Sequence, residues 1–358
     1  MSGGPSPIEQ LGGWPAVLGR LAAGEHLAAD VARVALSEVL EGNATPAQIA
    51  AFVFGLRCKG ETVEEMTGLV SAMIDAAERV EVPEGVASRL VDTCGTGGDR
   101  SGTINVSTVA ALVVAGAGVP VCKHGGRAAS SKAGSADVLE SLGVAIELGP
   151  AGVARCIAEA GIGFCFAPRY HPAMRHAVPV RRELGVPTAF NFLGPLANPA
   201  RVRRQVVGVG DPAMAAKMVR VLAAGGAEHV MVVHGAGGLD ELSTTGPSVV
   251  HEYDRSADPQ FKVWETDPAS LGLPVAALSE LAGGDAAENA SHARRVLDGT
   301  RGPMRDVVVL NAAAGLVVAG ACGDLAEGLV LAGSAIDSGR AAACLDRLVD
   351  VSRSAAGA

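Results

Sequence analysis

The chain has 358 residues, of which 49% are hydrophobic, 19% are charged and 3% are aromatic, and 47 of them are glycine. It is long enough for two domains and apolar enough to bury a large core, which excludes a disordered chain and favours an α/β protein with many tight turns. The formal net charge of −9 excludes a general electrostatic attraction to nucleic acid or to an anionic membrane, so an anion site would need a local concentration of positive charge.

The cysteines and the first residues indicate in which cellular compartment the protein is found. The seven cysteines form no CxxC pair and no Cys/His metal spacing, and an odd number is a poor basis for a disulfide framework. The first residues lack a basic region followed by an apolar one, and no uncharged apolar run reaches the roughly 18 residues of a membrane span. We therefore expect a soluble, cytoplasmic protein with reduced thiols and no membrane partner.

Residues 8–80 carry a helical pattern, with apolar side chains at spacings of three and four. Thr45 and Thr62 are each followed three positions later by Gln or Glu, so both are predicted to cap helices. We predict about four helices here and a helical domain over residues 1–84.

After these helices the pattern changes to short β-branched runs ahead of glycine turns. Residues 90–92, 119–122 and 230–233 are such runs, and helix-length stretches such as 107–115 lie between them. This alternation is typical of a parallel βαβ sheet. We therefore predict a larger α/β domain over residues 85–358.

The turn after the first predicted strand has the composition of a phosphate site. It reads DTCGTGGD over residues 92–99 and continues as RSGTINVST into a predicted helix. Glycines let successive backbone N–H groups point into one concavity, and a helix start adds partial positive charge. No Gly-Lys-Ser/Thr follows, and Arg100 stands where GxGxxG needs its third glycine, so a nucleotide P-loop and a dinucleotide fingerprint are disfavoured. A purely structural strand-to-helix turn is the alternative.

The turn after the next predicted strand repeats this chemistry. It reads KHGGRAASSKAGSAD over residues 123–137. Lys123 is a compact cation suited to pyrophosphate, His124 is a donor that can also titrate, and the small residues leave room for a ligand. A solvated basic turn is the alternative, but ligands of open α/β sheets bind at the carboxyl ends of neighbouring strands. The two turns together predict one shared anion site.

Two further stretches carry charge. Asp240 and Glu241 are adjacent in GGLDELS after a predicted strand. Such loop carboxylates are commonly just solvated, but Mg²⁺ typically joins one or two carboxylates to substrate phosphates. Residues 167–204 hold seven arginines against one acidic residue, and bidentate recognition of a planar carboxylate suits Arg181. The arginines that we interpret as surface residues are Arg201, Arg203 and Arg204.

These motifs together resemble one known family. They are GTGGD at 95–99, NVST at 105–108, KHGGR at 123–127, the stretch from FAPRYHP at 166 to GPLANPA at 200, GLDELST at 238–244 and GPMRDVVVLNAA at 302–313. They run through nearly the whole chain in the order found in anthranilate phosphoribosyltransferases. The resemblance implies a nucleoside-phosphorylase-like α/β fold with a mainly parallel central sheet, in which a helical N-terminal domain is completed by a segment near 175–205. It also implies a homodimer.

The resemblance implies an activity and a set of site residues as well. The family transfers the phosphoribosyl group of PRPP to the amine of anthranilate, releases pyrophosphate and uses Mg²⁺, in tryptophan biosynthesis. The residues expected to bind PRPP are Gly95, Thr96, Gly97, Gly98, Asp99, Thr103, Asn105, Ser107, Thr108, Lys123 and Ser135. Those expected to bind anthranilate are Gly95, His124, Gly126 and Arg181. The expected metal ligands are Ser107, Asp240 and Glu241, and the expected catalytic residues are Lys123, His124 and Arg181.

One position departs from the family pattern. Gly126 stands where the family usually has asparagine, so an amide that can hydrogen-bond the acceptor is absent and the pocket is wider. Two alternatives therefore stay open. One is PRPP-dependent transfer to a different aromatic acid. The other, from a different class, is a non-catalytic nucleic-acid-binding relative with the arginine-rich stretch as its footprint.

Overall fold

The computed structural model describes residues 6–99, 101–128 and 132–357. Helices occupy the first part of the chain, as the sequence predicts. They are α1 (Pro7–Gln10), α2 (Gly13–Ala22), α3 (Ala29–Leu40), α4 (Pro46–Lys59), α5 (Val63–Asp75) and α6 (Glu84–Ala87).

Both predicted helix starts are confirmed, and each has a capping box. The Thr45 hydroxyl accepts the N–H of Gln48, and the Gln48 side chain accepts the N–H of Thr45 at 2.8 Å. Thr62 and Glu65 exchange the same pair of bonds at the start of α5. Each box satisfies two backbone donors that a helix start otherwise leaves unpaired, which is why the local sequence fixes where α4 and α5 begin.

Strands and helices alternate in the rest of the chain. The strands are β1 (Val91–Gly95), β2 (Val121–Gly125), β3 (Ile162–Phe166), β4 (Arg204–Gly208), β5 (His229–Gly235), β6 (Ser248–Asp254) and β7 (Phe261–Thr266). The helices are α7 (Val106–Gly116), α8 (Ser135–Ser141), α9 (Pro150–Ala160), α10 (Ala167–Tyr170), α11 (Val178–Leu184), α12 (Phe190–Leu196), α13 (Pro212–Ala224), α14 (Ala286–Leu297), α15 (Pro303–Val318), α16 (Leu325–Asp337) and α17 (Arg340–Ala356). Short 3₁₀ segments lie at Pro172–His176, Ala236–Gly238, Pro268–Leu271 and Leu278–Leu281.

All seven strands form one sheet in the order β3-β2-β1-β4-β5-β6-β7. The five strands β3, β2, β1, β4 and β5 pair in parallel. Strand β6 pairs with β5, and β7 with β6, in antiparallel orientation. The predicted mainly parallel sheet is therefore confirmed. The chain runs outward from β1 to β2 and β3 and then returns to place β4 on the other side of β1. Such a reversal opens a crevice at the carboxyl ends of β1 and β4, where ligands of open α/β sheets bind.

The two faces of the sheet belong to two hydrophobic cores. Along β4, Val206 belongs to one core and Val207 to the other, because side chains of a strand alternate between faces. The first core lies under α7–α9 and α14–α17. The second core lies under α12 and α13 and continues into the core of α2–α5. This second core connects the N-terminal helices to the sheet.

The segment between β3 and β4 joins these two parts of the molecule. Helix α11 packs on α4, and α12 packs on α5, while both come from the stretch that precedes β4. The division of the chain into domains 1–84 and 85–358, with a completing segment near 175–205, stays a prediction. Among the residues that the structure describes, no helix is both long and apolar enough to cross a bilayer.

Candidate active site

A cavity of about 810 Å³ opens at the carboxyl ends of β1, β2, β4 and β5. Four loops contribute to it, one after each of these strands, which is the position that the reversal of strand order predicts. All the site residues expected from the sequence line this cavity, with the exceptions of Thr108 and Arg181. The structure therefore brings together groups that lie almost 150 positions apart in the chain.

The glycine loop after β1 is shaped by its contact with an acidic side chain. The N–H of Gly97 donates to Asp240 Oδ2 at 2.8 Å, and Gly97 and Gly98 have positive φ angles of 64° and 79°. A Cβ added at Gly95 would lie 2.3 Å from the same Asp240 oxygen. Glycine is therefore required at Gly95 for contact and at the next two glycines for conformation. The Gly97 N–H, which the sequence predicts to face a phosphate, donates to Asp240 instead.

Helix α7 begins at the cavity wall. Asn105 is its N-cap residue, and the aligned peptide dipoles of the helix place a partial positive charge at this end. Ser107 lines the cavity, whereas Thr108 lies behind it and donates its hydroxyl to Ser135 Oγ at 2.9 Å. Thr108 therefore supports Ser135, which itself lines the cavity.

Lys123 brings a buried cation to this helix start. Its side chain is 1% exposed, and its Nζ donates to Thr93 O at 2.5 Å and to Ser107 Oγ at 3.3 Å. The ammonium and the end of α7 thus place positive charge on the same side of the cavity. This is the local positive region that a chain of net charge −9 needs for an anion.

Asp240 and Glu241 lie beside this positive charge. The Ser107 N–H donates to Glu241 Oε1 at 3.2 Å. Burial, and then the neighbouring Asp99 carboxylate, raise the pKa of Asp240 to about 7. Burial and the charge of Asp240 raise the pKa of Glu241 well above its usual value, although Lys123 opposes this. The clustered carboxylates therefore favour uptake of a cation or of protons.

These residues fit a magnesium ion that is completed by a ligand. The described residues contain no ready-made group of three or more His, Cys, Asp or Glu side chains that could hold a metal. The carboxylates of Asp240 and Glu241 and the Ser107 hydroxyl are hard oxygen donors at one cavity wall. Mg²⁺ commonly takes one or two carboxylates and completes its shell with water and substrate phosphates.

His124 is neutral and has one free acceptor. Its side chain is 5% exposed, and because a carbonyl can only accept, Nδ1 carries the hydrogen that is donated to Gly194 O at 3.1 Å. Burial, and then the adjacent His171 ring, lower the pKa of His124 to about 3. Its Nε2 is buried and has no hydrogen-bond partner among the described residues. His124 can therefore accept a hydrogen bond from a ligand, but it is a weak base.

A buried carboxylate orients the backbone of His124. Asp92 Oδ1 accepts the His124 N–H at 3.3 Å, and Asp92 Oδ2 accepts from Asn198 Nδ2 at 2.8 Å. The same Asn198 amide donates to Cys122 O at 2.9 Å. Asn198 thus fixes the segment that follows α12 to the first residues of β1 and β2. The sequence reasoning did not identify it, and only the GPLANPA motif marked its neighbourhood.

Arg181 does not line the cavity in this structure. Its guanidinium lies over the Phe190 ring, with Cζ 5.2 Å from the centroid, and burial lowers the pKa of Arg181. Asn191 and Phe192, which follow this phenylalanine, do line the cavity. Within the described residues, Arg181 has no carboxylate partner.

Arg57 is a cavity residue that the sequence reasoning missed. It comes from α4 and is the one lining residue that the described N-terminal helices contribute. It also has no hydrogen bond or ion pair within the part of the chain that the structure describes. No local pattern distinguishes Arg57 from other basic residues of a helix end, because only the packing of α4 across the crevice places it there.

Four of the seven arginines at 167–204 are paired with acidic side chains. Arg169 pairs with Glu78, and Arg204 bonds Glu228 at 2.9 Å and two backbone carbonyls. Two more of these arginines have acidic partners within 4.0 Å, namely Arg201 with Asp75 and Arg203 with Glu84 and Glu228. This pairing argues against a nucleic-acid footprint here.

Comparison with known proteins defines first a class and then a family. Residues 15–77 match the helical bundle domain of the glycosyl transferase family, and residues 87–342 match its a/b domain. The chain is 54% identical over 311 residues to an anthranilate phosphoribosyltransferase of Thermomicrobium roseum, covering 87% of this chain and 89% of the relative. It is 52% identical over 341 residues to that of Rubrobacter xylanophilus, covering 95% and 98%. The chain belongs to the anthranilate phosphoribosyltransferase family.

Solved structures agree with this assignment. The crystal structure of the Thermus thermophilus enzyme superposes with a TM-score of 0.88 at 43% identity, over 94% of this chain and 99% of that one. The Saccharomyces cerevisiae enzyme in complex with PRPP and Mg gives 0.85 at 28% identity, over 95% and 98%. Another structure of the yeast enzyme holds 4-fluoroanthranilate.

Proposed function

We propose that the chain transfers the phosphoribosyl group of PRPP to the amine of anthranilate, giving N-(5-phosphoribosyl)anthranilate and pyrophosphate, a step of tryptophan biosynthesis. The observation that carries this proposal is the meeting of three groups in one cavity: the start of α7, the buried Lys123 and the acidic pair Asp240/Glu241. Membership of the family supports the same reaction.

The geometry suits departure of pyrophosphate. Breaking the C1–O bond of PRPP leaves positive charge on the ribose and negative charge on the leaving group. Lys123 and the N-terminal end of α7 are fixed in position before the reaction, so they stabilise the negative charge without reorganisation. Mg²⁺, held by Asp240, Glu241 and Ser107, would supply further positive charge to the pyrophosphate oxygens.

The acceptor half of the site needs orientation more than base strength. An aromatic amine is uncharged at pH 7, so it can attack without prior loss of a proton. The free Nε2 of His124 accepts a hydrogen bond from the amine and orients it. We assign the anthranilate carboxylate to Arg181, which lies behind the lining residues Asn191 and Phe192, because a half-buried guanidinium without a carboxylate partner gains from an anionic ligand. Gly126 provides the open side of the acceptor pocket.

A fluorescence assay tests the proposal. The protein, PRPP, Mg²⁺ and anthranilate should together consume anthranilate fluorescence, and chelation of Mg²⁺ should stop the reaction. Arg181→Ala should raise KM for anthranilate, by about tenfold or more for a lost charge-assisted bond, while the exposed neighbour Arg182→Ala serves as the matched control. No loss of fluorescence at high enzyme concentration would refute the reaction. An equal effect of both arginine variants would refute only the assignment of Arg181.

A different aromatic acid acceptor is the second candidate function, and one observation favours it. Among the residues that the structure describes, a Cβ added at Gly126 would have one atom within 4 Å, the Cβ of Ala167 at 3.9 Å. The acceptor pocket is therefore open at this point. Parallel assays with substituted anthranilates and other aromatic acids distinguish the two candidates, since the second requires one of them to exceed anthranilate in kcat/KM.

We further propose a cytoplasmic homodimer with the domain division described above. The helical domain would take residues 1–84 and a segment near 175–205, and the α/β domain would take the remainder of 85–358. Light scattering after gel filtration checks the assembly, for which a dimer has twice the chain mass of 35.9 kDa.

A further inference from the structure

Asn289 is a buried amide outside the cavity that none of the steps above uses. It lies in the first turns of α14 and is 4% exposed. Its Nδ2 donates to Asn105 Oδ1 at 2.9 Å, and its Oδ1 accepts the N–H of Gly284 at 2.7 Å. Asn105 in turn donates from Nδ2 to Ala133 O at 3.0 Å. Two side-chain amides thus connect the segment before α14 to both loops of the phosphate site.

The direction of this relay is fixed at both ends. The Gly284 N–H can only donate, so it must meet the oxygen of the Asn289 amide. The Ala133 carbonyl can only accept, so it must meet the nitrogen of the Asn105 amide. The remaining oxygen of Asn105 then faces the remaining nitrogen of Asn289, which is the arrangement observed. Hydrogen bonds aligned in one direction polarise and strengthen one another.

Backbone pairing brings Asn289 to this place. The Ile104 N–H donates to Leu281 O at 3.0 Å, and the Gly283 N–H donates to Gly102 O at 2.8 Å. A Cβ added at Gly283 would lie 2.7 Å from Asn289 Oδ1 and 2.8 Å from Thr103 O. Residues 281–283 therefore pack directly on residues 102–104, with no space for a larger residue at Gly283.

We propose that Asn289 is a positioning residue of the PRPP site, and this inference rests on the proposed function. It holds the Asn105 amide in one orientation and thereby fixes the distance between the loop after β1 and the loop after β2. Asn105 and Ala133, which the relay joins, line the cavity beside the expected PRPP residues Ser107 and Ser135, whereas the expected acceptor residues His124, Gly126 and Arg181 make no hydrogen bond of the relay. Loss of Asn289 should therefore weaken binding of PRPP and leave binding of anthranilate unchanged.

Steady-state kinetics of three variants test this. Asn289→Ala should raise KM for PRPP about five- to tenfold, which corresponds to one net hydrogen bond, with less than a twofold change for anthranilate. Asn289→Asp keeps the shape but places an oxygen against Asn105 Oδ1, so it should be at least as impaired as the alanine variant. Glu288→Ala is the matched control, because it removes a capping bond of the same helix start and does not contact Asn105. Circular dichroism confirms that each variant is folded.

A double-variant cycle separates a positioning role from general support. If Asn289 acts through Asn105, Asn289→Ala should add less than twofold to KM for PRPP in an Asn105→Ala background. Additive effects, an equal rise of KM for both substrates, or an unchanged KM for PRPP in the Ala and Asp variants would each overturn the inference. Calorimetric titration of the wild type and variants with PRPP and Mg²⁺ measures the affinity for PRPP directly, so this result does not depend on turnover. A wild type that binds PRPP but does not consume anthranilate would refute the proposed function and still test Asn289.

Discussion

Gly126 is the residue at which the sequence predicts a departure from the family pattern, and the described residues leave space for a side chain there. Within the described part of the chain, the one atom near an added Cβ would be Ala167 Cβ, in ordinary contact at 3.9 Å, and the Gly126 carbonyl accepts the Ala136 N–H at 3.1 Å in either case. Gly126→Asn should therefore fold normally. It adds a hydrogen-bonding amide at the acceptor pocket, so we expect KM for anthranilate to fall about three- to tenfold and activity on bulky substituted anthranilates to decrease.

Kinetics with both substrates check this expectation. KM for PRPP provides the internal control, because Lys123 and Ser107, which carry the phosphate end, do not contact position 126 in the described structure. A change in KM for PRPP with none for anthranilate would show that the residue acts on the loop and not on the acceptor.

Individual residues differ in how far the sequence predicts them. Lys123 and Asp240 could be predicted as site residues, because each follows a strand that the sequence predicts, although the structure places Lys123 within β2 itself. Arg57 and Asn289 could not, since each reaches the site only through packing between segments distant in sequence. The low basicity of His124 was also beyond local pattern, because it arises from burial and from the adjacent His171 ring.

The loop before α8 illustrates how an element start can depend on one missing side chain. Gly134 is the N-cap residue of α8, and a Cβ there would lie 2.5 Å from Ala128 N and from Arg127 C. Gly134→Ala must displace the loop that carries Gly126 and Arg127. We expect a loss of about 1–3 kcal/mol in stability from this overpacking and a fall in kcat/KM of tenfold or more.

Gly149 provides a matched control for this variant. It is the N-cap residue of α9 with a closely similar extended conformation, with ψ of 175° at both glycines. Of the described residues, an added Cβ there would approach one, the end of the Arg169 side chain at 3.4 Å. Gly149→Ala should leave activity unchanged and the melting temperature equal or slightly higher. Equal effects of the two variants would contradict a packing cause and indicate a conformational one.

Helices and strands, like single residues, can be predicted where they depend on local sequence and cannot where they depend on long-range packing. The starts of α4 and α5 could be predicted from the sequence because a capping box is complete within four residues. The order of the sheet could not, since β1 pairs both with β2 and with the distant β4. Pairing between distant strands depends on which helices cover each face of the sheet. The hydrophobic periodicity within one segment does not show which distant strand that segment pairs with. The reversal that opens the cavity is therefore visible only in the structure.

The molecule as a whole is held together where the N-terminal helices meet the sheet, and His171 lies at this junction. Its ring is 7% exposed, 5.1 Å from the ring of His124, and its Nε2 bonds Ala197 O at 3.1 Å. Burial lowers the pKa of His171 to about 4, although the carbonyls of Ala197 and Met73 oppose the shift. The native state therefore needs this ring neutral at a contact between α5 and the segment that follows α12.

The acid response of stability follows from this depressed pKa. An unfolded histidine takes up a proton near pH 6.5, whereas folded His171 does so only near pH 4. The stabilisation is present in full above pH 6.5 and is lost as the pH falls towards 4, because the unfolded state binds the proton first. Between pH 7 and pH 5 the loss for this one group is about 2 kcal/mol.

His171→Gln makes this contribution measurable against the other titrating groups. At pH 7 the variant should be less stable than the wild type, since it loses ring packing and one hydrogen bond. At pH 5 the wild type has lost about 2 kcal/mol that glutamine cannot lose, so the difference in free energy of unfolding between the two proteins should shrink by that amount. Urea titrations at pH 7, 6 and 5 check this.

Buried carboxylates such as Asp92 respond in the opposite sense, because burial raises their pKa, but they are common to both proteins and cancel in the difference. A difference that stays constant over this range would mean that His171 is solvated and protonated in the native state, and that the helices and the sheet separate locally at this contact.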